Sequence, residues 1–278
     1  MKKAIGILLA IVMVVFSAGS GVYAETVSGG GSVDSGKSDN NVDTANATHF
    51  QIGGVNFGLG VKAWYNQYDV QVTLSGDDED DFDDETSSEL NDFADSGLVA
   101  GPSLQLSYKK FFGGISYLMS LSDYENSDGD SFERKDLDLV TGYMVHDRLG
   151  VLIGYKNVDL EYSDGTNGER SGLAVGAAFN YPVQIAPKNT LVLTLNGTLF
   201  PSLKIKEDPI DTNGIGFSVE LGAAYPIANW VFSLGVKMQY FEFEQDFEGE
   251  DNWGDSVTIH ADFEEVYSGL ILNAIYRF

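Results

Sequence analysis

The chain is dominated by stretches in which apolar residues occupy every second position, a period typical of β-strands and not of helices. In the last stretch, this apolar row consists of Val266, Leu270, Leu272, Ala274, Tyr276 and Phe278. The same alternation predicts ten strands, which begin near Val55, Leu98, Ile115, Leu137, Leu149, Leu173, Leu191, Ile215, Trp230 and Val266. Each strand is close to the ~10 residues with which a tilted strand crosses a membrane.

Alternation alone would equally suit a soluble β-sandwich, in which two apolar faces pack together. The connections favour a membrane barrel, because short turns alternate with five long connections that carry 35 of the 42 acidic residues. Outer-membrane barrels have short turns at one end and long loops at the other. Aromatic residues also gather near the short turns, where they suit a membrane interface: Tyr108, Phe111, Phe112, Phe179, Tyr181, Tyr225, Trp230, Phe232, Tyr276 and Phe278.

Strand edges cannot be left unpaired inside a bilayer, because lipid offers no hydrogen-bond partner to N–H and C=O groups. The predicted fold is therefore all-β, a closed antiparallel up-and-down transmembrane β-barrel. Ten strands are expected, with eight or twelve as the alternatives if one hairpin is misassigned. An even number places both termini on the periplasmic side of the outer membrane.

The N-terminal residues predict an export signal. Lys2 and Lys3 precede an apolar run over residues 4–16, and Val22-Tyr23-Ala24 has the form of a signal-peptidase site. We therefore expect a signal peptide over residues 1–24. Residues 25–50 are rich in Gly, Ser, Asp and Asn, which predicts a flexible periplasmic leader, and residues 51–278 form the barrel domain.

Composition excludes several kinds of activity. Acidic residues outnumber basic ones by 42 to 16, for a formal charge of −26. Nucleic-acid binding depends on Lys and Arg that neutralise phosphates, so no nucleic-acid partner is expected. The chain has no cysteine and three histidines, which excludes disulfides and thiol nucleophiles and leaves few side chains for metal catalysis. We predict no cofactor.

The end of the chain resembles a known assembly signal. A final strand that ends in Phe278, with Tyr276 two places earlier and Leu272 and Leu270 on the same apolar row, is similar to the C-terminal signature of bacterial outer-membrane β-barrels. The signal peptide and the hairpin pattern from Val55 onward fit the same class. The resemblance implies insertion by the barrel-assembly machinery and a location in the outer membrane, in contact with its lipid and lipopolysaccharide, without indicating a particular family.

Polar residues on the other face of the strands are expected to line the lumen. They include both signs of charge, and six are candidate site residues: Lys62, Asp138, Lys156, Lys204, Glu220 and Lys237. An eight-stranded barrel is just filled by side chains, and aqueous channels are typical of 16 strands or more. The sequence therefore leaves two alternatives, a lumen plugged by ion pairs or a narrow polar path that conducts ions.

The first long connection contains a cluster of acids that has the chemistry of a hard-cation site. Its carboxylates suit Ca²⁺ or Mg²⁺, and lipopolysaccharide is itself bridged by such ions; the candidates are Asp77, Asp78, Asp80, Asp81, Asp83 and Asp84. No EF-hand spacing is present. The alternative is a solvated loop whose like charges repel one another.

Some outer-membrane barrels are hydrolases, and His260 with Asp262 reverses the Asp-x-His order of omptin-like proteases. No matching acid pair stands out, and neither His49 nor His146 has a serine motif beside it, so we predict no enzyme.

The predicted function is that of a porin-like outer-membrane barrel with limited passage of ions or small solutes. The alternative is a structural or adhesin-type barrel whose acidic extracellular loops bind a cation, glycan or receptor. A hydrolase is the weakest alternative.

Overall fold

A computed structural model describes residues 51–52, 55–76, 88–125, 131–187, 189–207, 210–250 and 256–278. The expected signal peptide, the leader over residues 25–50 and the acidic cluster over residues 77–84 lie outside the described residues. Among the described residues, no helix is long and apolar enough to span a membrane.

The described residues are almost entirely β-strand, and every pairing is antiparallel. The strands are β1 Gln51–Ile52, β2 Val55–Gly76, β3 Ser88–Tyr108, β4 Phe111–Ser122, β5 Tyr124–Glu125, β6 Ser131–His146, β7 Leu149–Tyr162, β8 Asn167–Ala186, β9 Asn189–Glu207, β10 Ile210–Ile227, β11 Trp230–Glu250 and β12 Ser256–Arg277.

Ten long strands close into a ring. Each pairs with its neighbour along the chain, and β12 pairs with β2, where Ile271 lies opposite Trp64. The pairing of β2 with β3 completes the circle. The two-residue strands β1 and β5 pair with β2 and β6 and are not members of the ring. The predicted closed antiparallel barrel is therefore confirmed, with about ten long strands among the described residues.

Tight turns join alternate strands at one end of the barrel, here called the short-turn end. Lys109 and Ala228 adopt positive φ angles of 53° and 51° in two of these turns, as two-residue hairpins require. The start of β2 and the end of β12 lie at this end, where the Phe278 N–H donates a hydrogen bond to the Phe57 carbonyl at 3.0 Å. The opposite end, which carries the remaining connections, is called the loop end.

The strands are longer than their hydrophobic pattern predicts. On the outer face of β7, apolar Val151 and Ile153 give way to Asp159 and Glu161 toward the loop end, while the strand continues to Tyr162. Hydrogen bonding thus persists where the outward row is no longer apolar. The apolar residues there face inward instead, as Val158 and Leu160 do. The phase of the alternation is therefore reversed, and sequence reasoning assigned these segments to connections.

The outer face carries an apolar belt nearer the short-turn end. Leu270 and Leu272 are 53% and 55% exposed, and Val151 and Ile153 are 50% and 61% exposed. Contiguous apolar surface of this kind marks contact with lipid or another protein. The inner face nearer the loop end is instead filled by a lumen core of Trp64, Val99, Leu118, Tyr124, Val158, Leu160, Phe200, Leu203, Ile205, Phe241, Phe243, Tyr267 and Ile271.

Candidate functional site

A cluster of charged side chains crosses the lumen on the short-turn side of the lumen core. It is called the charged layer, and it consists of Lys62, Arg134, Asp136, Asp138, Lys156, Glu220 and Lys237. These residues come from β2, β6, β7, β10 and β11. Because side chains alternate between the two faces of a strand, the positions two apart on β6 all project inward. Ring closure therefore assembles residues that are far apart in the sequence.

Asp136 lies at the centre of the charged layer. Its carboxylate accepts hydrogen bonds from Arg134 Nε at 2.8 Å and Nη2 at 3.1 Å, and from Lys156 Nζ at 3.2 Å. Arg134 Nη2 also donates to Gln239 Oε1 at 2.6 Å. Arg134 and Asp136 are fully buried. Both carboxylate oxygens of Asp136 are therefore occupied by cationic donors, the arrangement that a buried charge requires.

The remaining ion pairs are more open to water. Lys156 Nζ lies 2.8 Å from Asp138, while Lys237 Nζ lies 3.7 Å from Asp138 and Lys62 Nζ 3.7 Å from Glu220. The side chains of Asp138 and Glu220 are 27% and 29% exposed. Inward polar residues level with Glu220 or nearer the short-turn end are also only partly buried, among them Asn196 and Asn180. Water can therefore reach one side of the charged layer.

Aromatic rings cover the other side. The Arg134 guanidinium carbon lies 3.8 Å from the ring centre of Tyr267 and 5.0 Å from that of Trp64. Lys237 Nζ lies 4.6 Å from the Trp64 ring. Cations held against aromatic faces gain electrostatic stabilisation, most strongly where water is excluded. The charged side chains and the aromatic rings are therefore packed directly against each other.

A second ion-pair cluster, the loop-end triad of Arg170, Glu207 and Glu265, lies nearer the loop end. Arg170 donates to both oxygens of Glu265, at 2.6 Å and 3.2 Å, and also to Glu207. Sequence reasoning placed both glutamates in connections, but they belong to strands whose register turns them inward. Phe243 lies 5.7 Å from the Arg170 guanidinium carbon.

The structure brings together five of the six residues expected in the lumen and separates Lys204 from them. Between Phe200 and Leu203, two residues of β9 lie opposite the single residue Ile215 of β10, which is a β-bulge. The extra residue reverses which positions face inward, so Leu203 and Ile205 are fully buried. Lys204 consequently lies exposed on the outer face.

Arg134, Trp64 and Tyr267 were missed as site residues. Arg134 shares the alternate row of Asp136 and Asp138, so its inward direction was readable from the sequence. The inward direction of Trp64 was readable in the same way, because it shares the alternate row of Lys62. Nothing in the sequence indicated that these rings pack on the Arg134 guanidinium.

The other candidate residues lie elsewhere. Leu270 and Leu272 are on the outward apolar row of β12. His260 Nδ1 lies 2.6 Å from Asp246 on β11, and this carboxylate is its cross-strand neighbour. Within the described ranges, no group of three or more His, Asp or Glu has the geometry to hold a metal ion.

Comparison with known proteins supports the fold. No protein-family model matches the chain, and no curated protein matches it significantly. The outer membrane protease OmpT from Escherichia coli is similar in structure, with 8% identity, 84% of this chain and 100% of that chain covered, and a TM-score of 0.50. The NalP autotransporter translocator domain from Neisseria meningitidis matches at 11% identity, covering 79% and 88% of the two chains, with a TM-score of 0.33.

The toluene transporter TodX from P. putida matches at 9% identity, covering 82% of this chain and 91% of that chain, with a TM-score of 0.27. At such low identities a structural likeness bears on fold alone, and of these three matches the one to OmpT is close enough to do so. The chain therefore has the closed β-barrel architecture found in an outer-membrane protein.

Proposed function

We propose that this chain is an integral outer-membrane β-barrel that is closed to solutes at rest and acts at the cell surface. The observation that carries the proposal is the packing of the charged layer. Arg134 and Asp136 are fully buried between the aromatic rings of Trp64 and Tyr267 and the rest of the ion-pair network. This packing favours the structural or adhesin-type alternative over continuous passage.

Membrane insertion is supported by the outward apolar belt. Side chains such as Leu272 and Ile153 are more than half exposed on a closed sheet, and transferring such surface from water to lipid is favourable. The C-terminal row ending in Phe278 supports delivery by the barrel-assembly machinery. Deleting Phe278 should lower the yield of folded protein in the membrane far more than deleting Lys37, and equal yields would contradict the assignment.

We infer that the short-turn end faces the periplasm and the loop end faces the cell exterior. Asp147, in a short turn, and Asp164, at the loop end, give a matched test. In intact cells, Asp164→Cys should react with a membrane-impermeant maleimide and Asp147→Cys should not. Labelling of Asp147→Cys alone would reverse the orientation.

Lumen closure is tested by conductance of the refolded protein in a planar bilayer. The natural chain should show no discrete steps once heat-modifiability has established folding, and a stepwise conductance would overturn the proposal. Arg134→Ala combined with Asp136→Ala leaves the net charge unchanged and should produce conductance steps. The control, Lys135→Ala combined with Glu161→Ala, removes an outer-face ion pair with an N–O distance of 2.8 Å and should show no conductance steps.

Porin-like passage of small ions is the second candidate. It is favoured by the partial exposure of Asp138 and Glu220, since water reaches these carboxylates from the short-turn end. A path through the barrel would then need rearrangement of the charged layer and of the lumen core. Conductance steps in the natural chain with a preference for cations would establish this function in place of the first.

The surface role is proposed to involve the acidic connections. Carboxylates at Asp77, Asp78, Asp80, Asp81, Asp83 and Asp84 would bind Ca²⁺ or Mg²⁺, and through them the lipopolysaccharide that such ions bridge. Calorimetric titration with Ca²⁺ should give heat that disappears when the six are changed to Asn. Unchanged heat would contradict cation binding by these carboxylates and would leave a glycan or receptor as the surface ligand. No enzymatic activity is proposed.

A further inference from the structure

Several buried hydrogen-bond donors in and beside the charged layer have no partner among the described residues. They are Trp64 Nε1, Asn66 Nδ2, Arg134 Nη1 and the Tyr267 hydroxyl. All four residues are fully buried. Buried donors in proteins are rarely left unpaired, so a group of them calls for a ligand that accepts hydrogen bonds.

The residues that carry these donors are neighbours in space. Trp64 and Asn66 are two residues apart on the inward face of β2, and the Arg134 guanidinium packs on the rings of Trp64 and Tyr267. The Asn66 side-chain oxygen accepts a hydrogen bond from the Tyr124 hydroxyl at 3.0 Å. That bond fixes the orientation of the amide and leaves its NH₂ group as the unpaired part.

The carboxylates of the charged layer do not bond to these donors. The layer contains four cations, Lys62, Arg134, Lys156 and Lys237, against three carboxylates. Both oxygens of Asp136 are already bonded to Arg134 and Lys156. The next carboxylates toward the loop end, Glu207 and Glu265, are held by Arg170 in the loop-end triad.

We propose that a small monovalent anion of the halide class binds in the lumen beside Trp64, Asn66 and Arg134. A halide accepts hydrogen bonds from several donors and balances the local excess of positive charge. A water molecule would also accept hydrogen bonds, but it carries no charge and would leave this excess unbalanced. The site lies inside the barrel and is independent of the proposed role of the surface connections.

Tryptophan fluorescence gives a direct test with bromide as the probe. The chain has three tryptophans, so a Trp230→Phe, Trp253→Phe variant retains Trp64 alone. Bromide is titrated into the refolded variant, with gluconate holding the ionic strength constant. Because Trp64 is fully buried, collisional quenching should be absent, and bound bromide should quench emission along a saturable curve. A lack of quenching, or a linear dependence on bromide, would overturn the proposal.

Asn66→Asp in the same background removes the free NH₂ group, retains an acceptor for Tyr124 and adds a negative charge. Bromide affinity should fall at least about tenfold, because the like charge opposes the anion. Asn157→Asp makes the same change on the outer face and should leave the affinity unaltered. Equal effects of the two substitutions would place the halide elsewhere and refute the site.

Crystals grown in sodium bromide provide a second measurement that does not depend on substitution. An anomalous peak within hydrogen-bond distance of Trp64 Nε1 and Arg134 Nη1 is expected. Density at that position without anomalous signal would identify internal water and overturn the proposal. Either result is separate from conductance, so failure of the halide site and failure of lumen closure are distinguishable.

Discussion

Replacing Asp136 with Asn tests whether the charged layer stabilises the barrel. The carboxylate accepts three hydrogen bonds from cationic nitrogens, and it is fully buried. Asparagine preserves the volume and one oxygen, but its NH₂ group would face Arg134 in either orientation and Lys156 as well in one of them. Breaking a buried ion pair by removing one partner costs about 3–5 kcal/mol. Because one acceptor is retained, we expect the free energy of unfolding to fall by an amount near the lower end of this range, about 3 kcal/mol.

The assay is equilibrium unfolding by urea of protein refolded into lipid vesicles, followed by tryptophan fluorescence. Asp262→Asn is the matched control, since Asp262 is exposed on the outer face of β12, and a change within about 0.5 kcal/mol is expected there. A folded Asp136→Asn barrel that loses less than about 1 kcal/mol would refute the reasoning, because the charged layer would then not depend on this carboxylate.

Three further outcomes are expected. Gly172→Ala would place a Cβ 2.6 Å from a backbone carbonyl oxygen and should cost about 1–3 kcal/mol, whereas Gly197→Ala meets nothing within 4 Å and should fold normally, as heat-modifiability would show. Hydrogen bonds from the Thr166 hydroxyl and backbone N–H lower the pKa of Asp164, so its contribution to stability is present above the pKa of the unfolded chain and is lost as pH falls through the folded pKa. Thr166→Val should raise the Asp164 pKa measured by NMR, and an unchanged midpoint would contradict this cause. Leu272→Lys places a charge on the lipid-facing belt and should destabilise the barrel by about 2–4 kcal/mol in vesicle unfolding if it lies near the bilayer midplane; a neutral effect would exclude Leu272 from lipid contact.

A closed lumen is consistent with the size of the ring. Eight strands leave an interior just wide enough for side chains, and aqueous channels belong to much larger barrels. The ten strands here leave more room, and large inward residues such as Trp64, Arg134 and Tyr267 fill it. Lumen size alone thus does not decide closure, because the identity of the inward side chains matters as well.

The strands, their number and the closed barrel were readable from the sequence. A half-buried strand must alternate apolar and polar residues, and unpaired edges are excluded from lipid, so period and environment together specify closure. Five of the six expected lumen residues follow from the same alternation. These inferences hold because each depends only on neighbours along a single strand.

Only the tertiary structure decided the rest. The bulge at Pro201 and Ser202 reversed the faces of β9 and moved Lys204 to the outside, and a single extra residue leaves no mark on the composition of a strand. Strand segments beyond the apolar belt, including Glu265, were missed because the outward row there is polar and the apolar residues face inward. The partners of Asp136 lie on β6 and β7, and the rings above them come from β2 and β12. Ring closure brings these strands together, so the charged layer is a property of the barrel and of no strand alone.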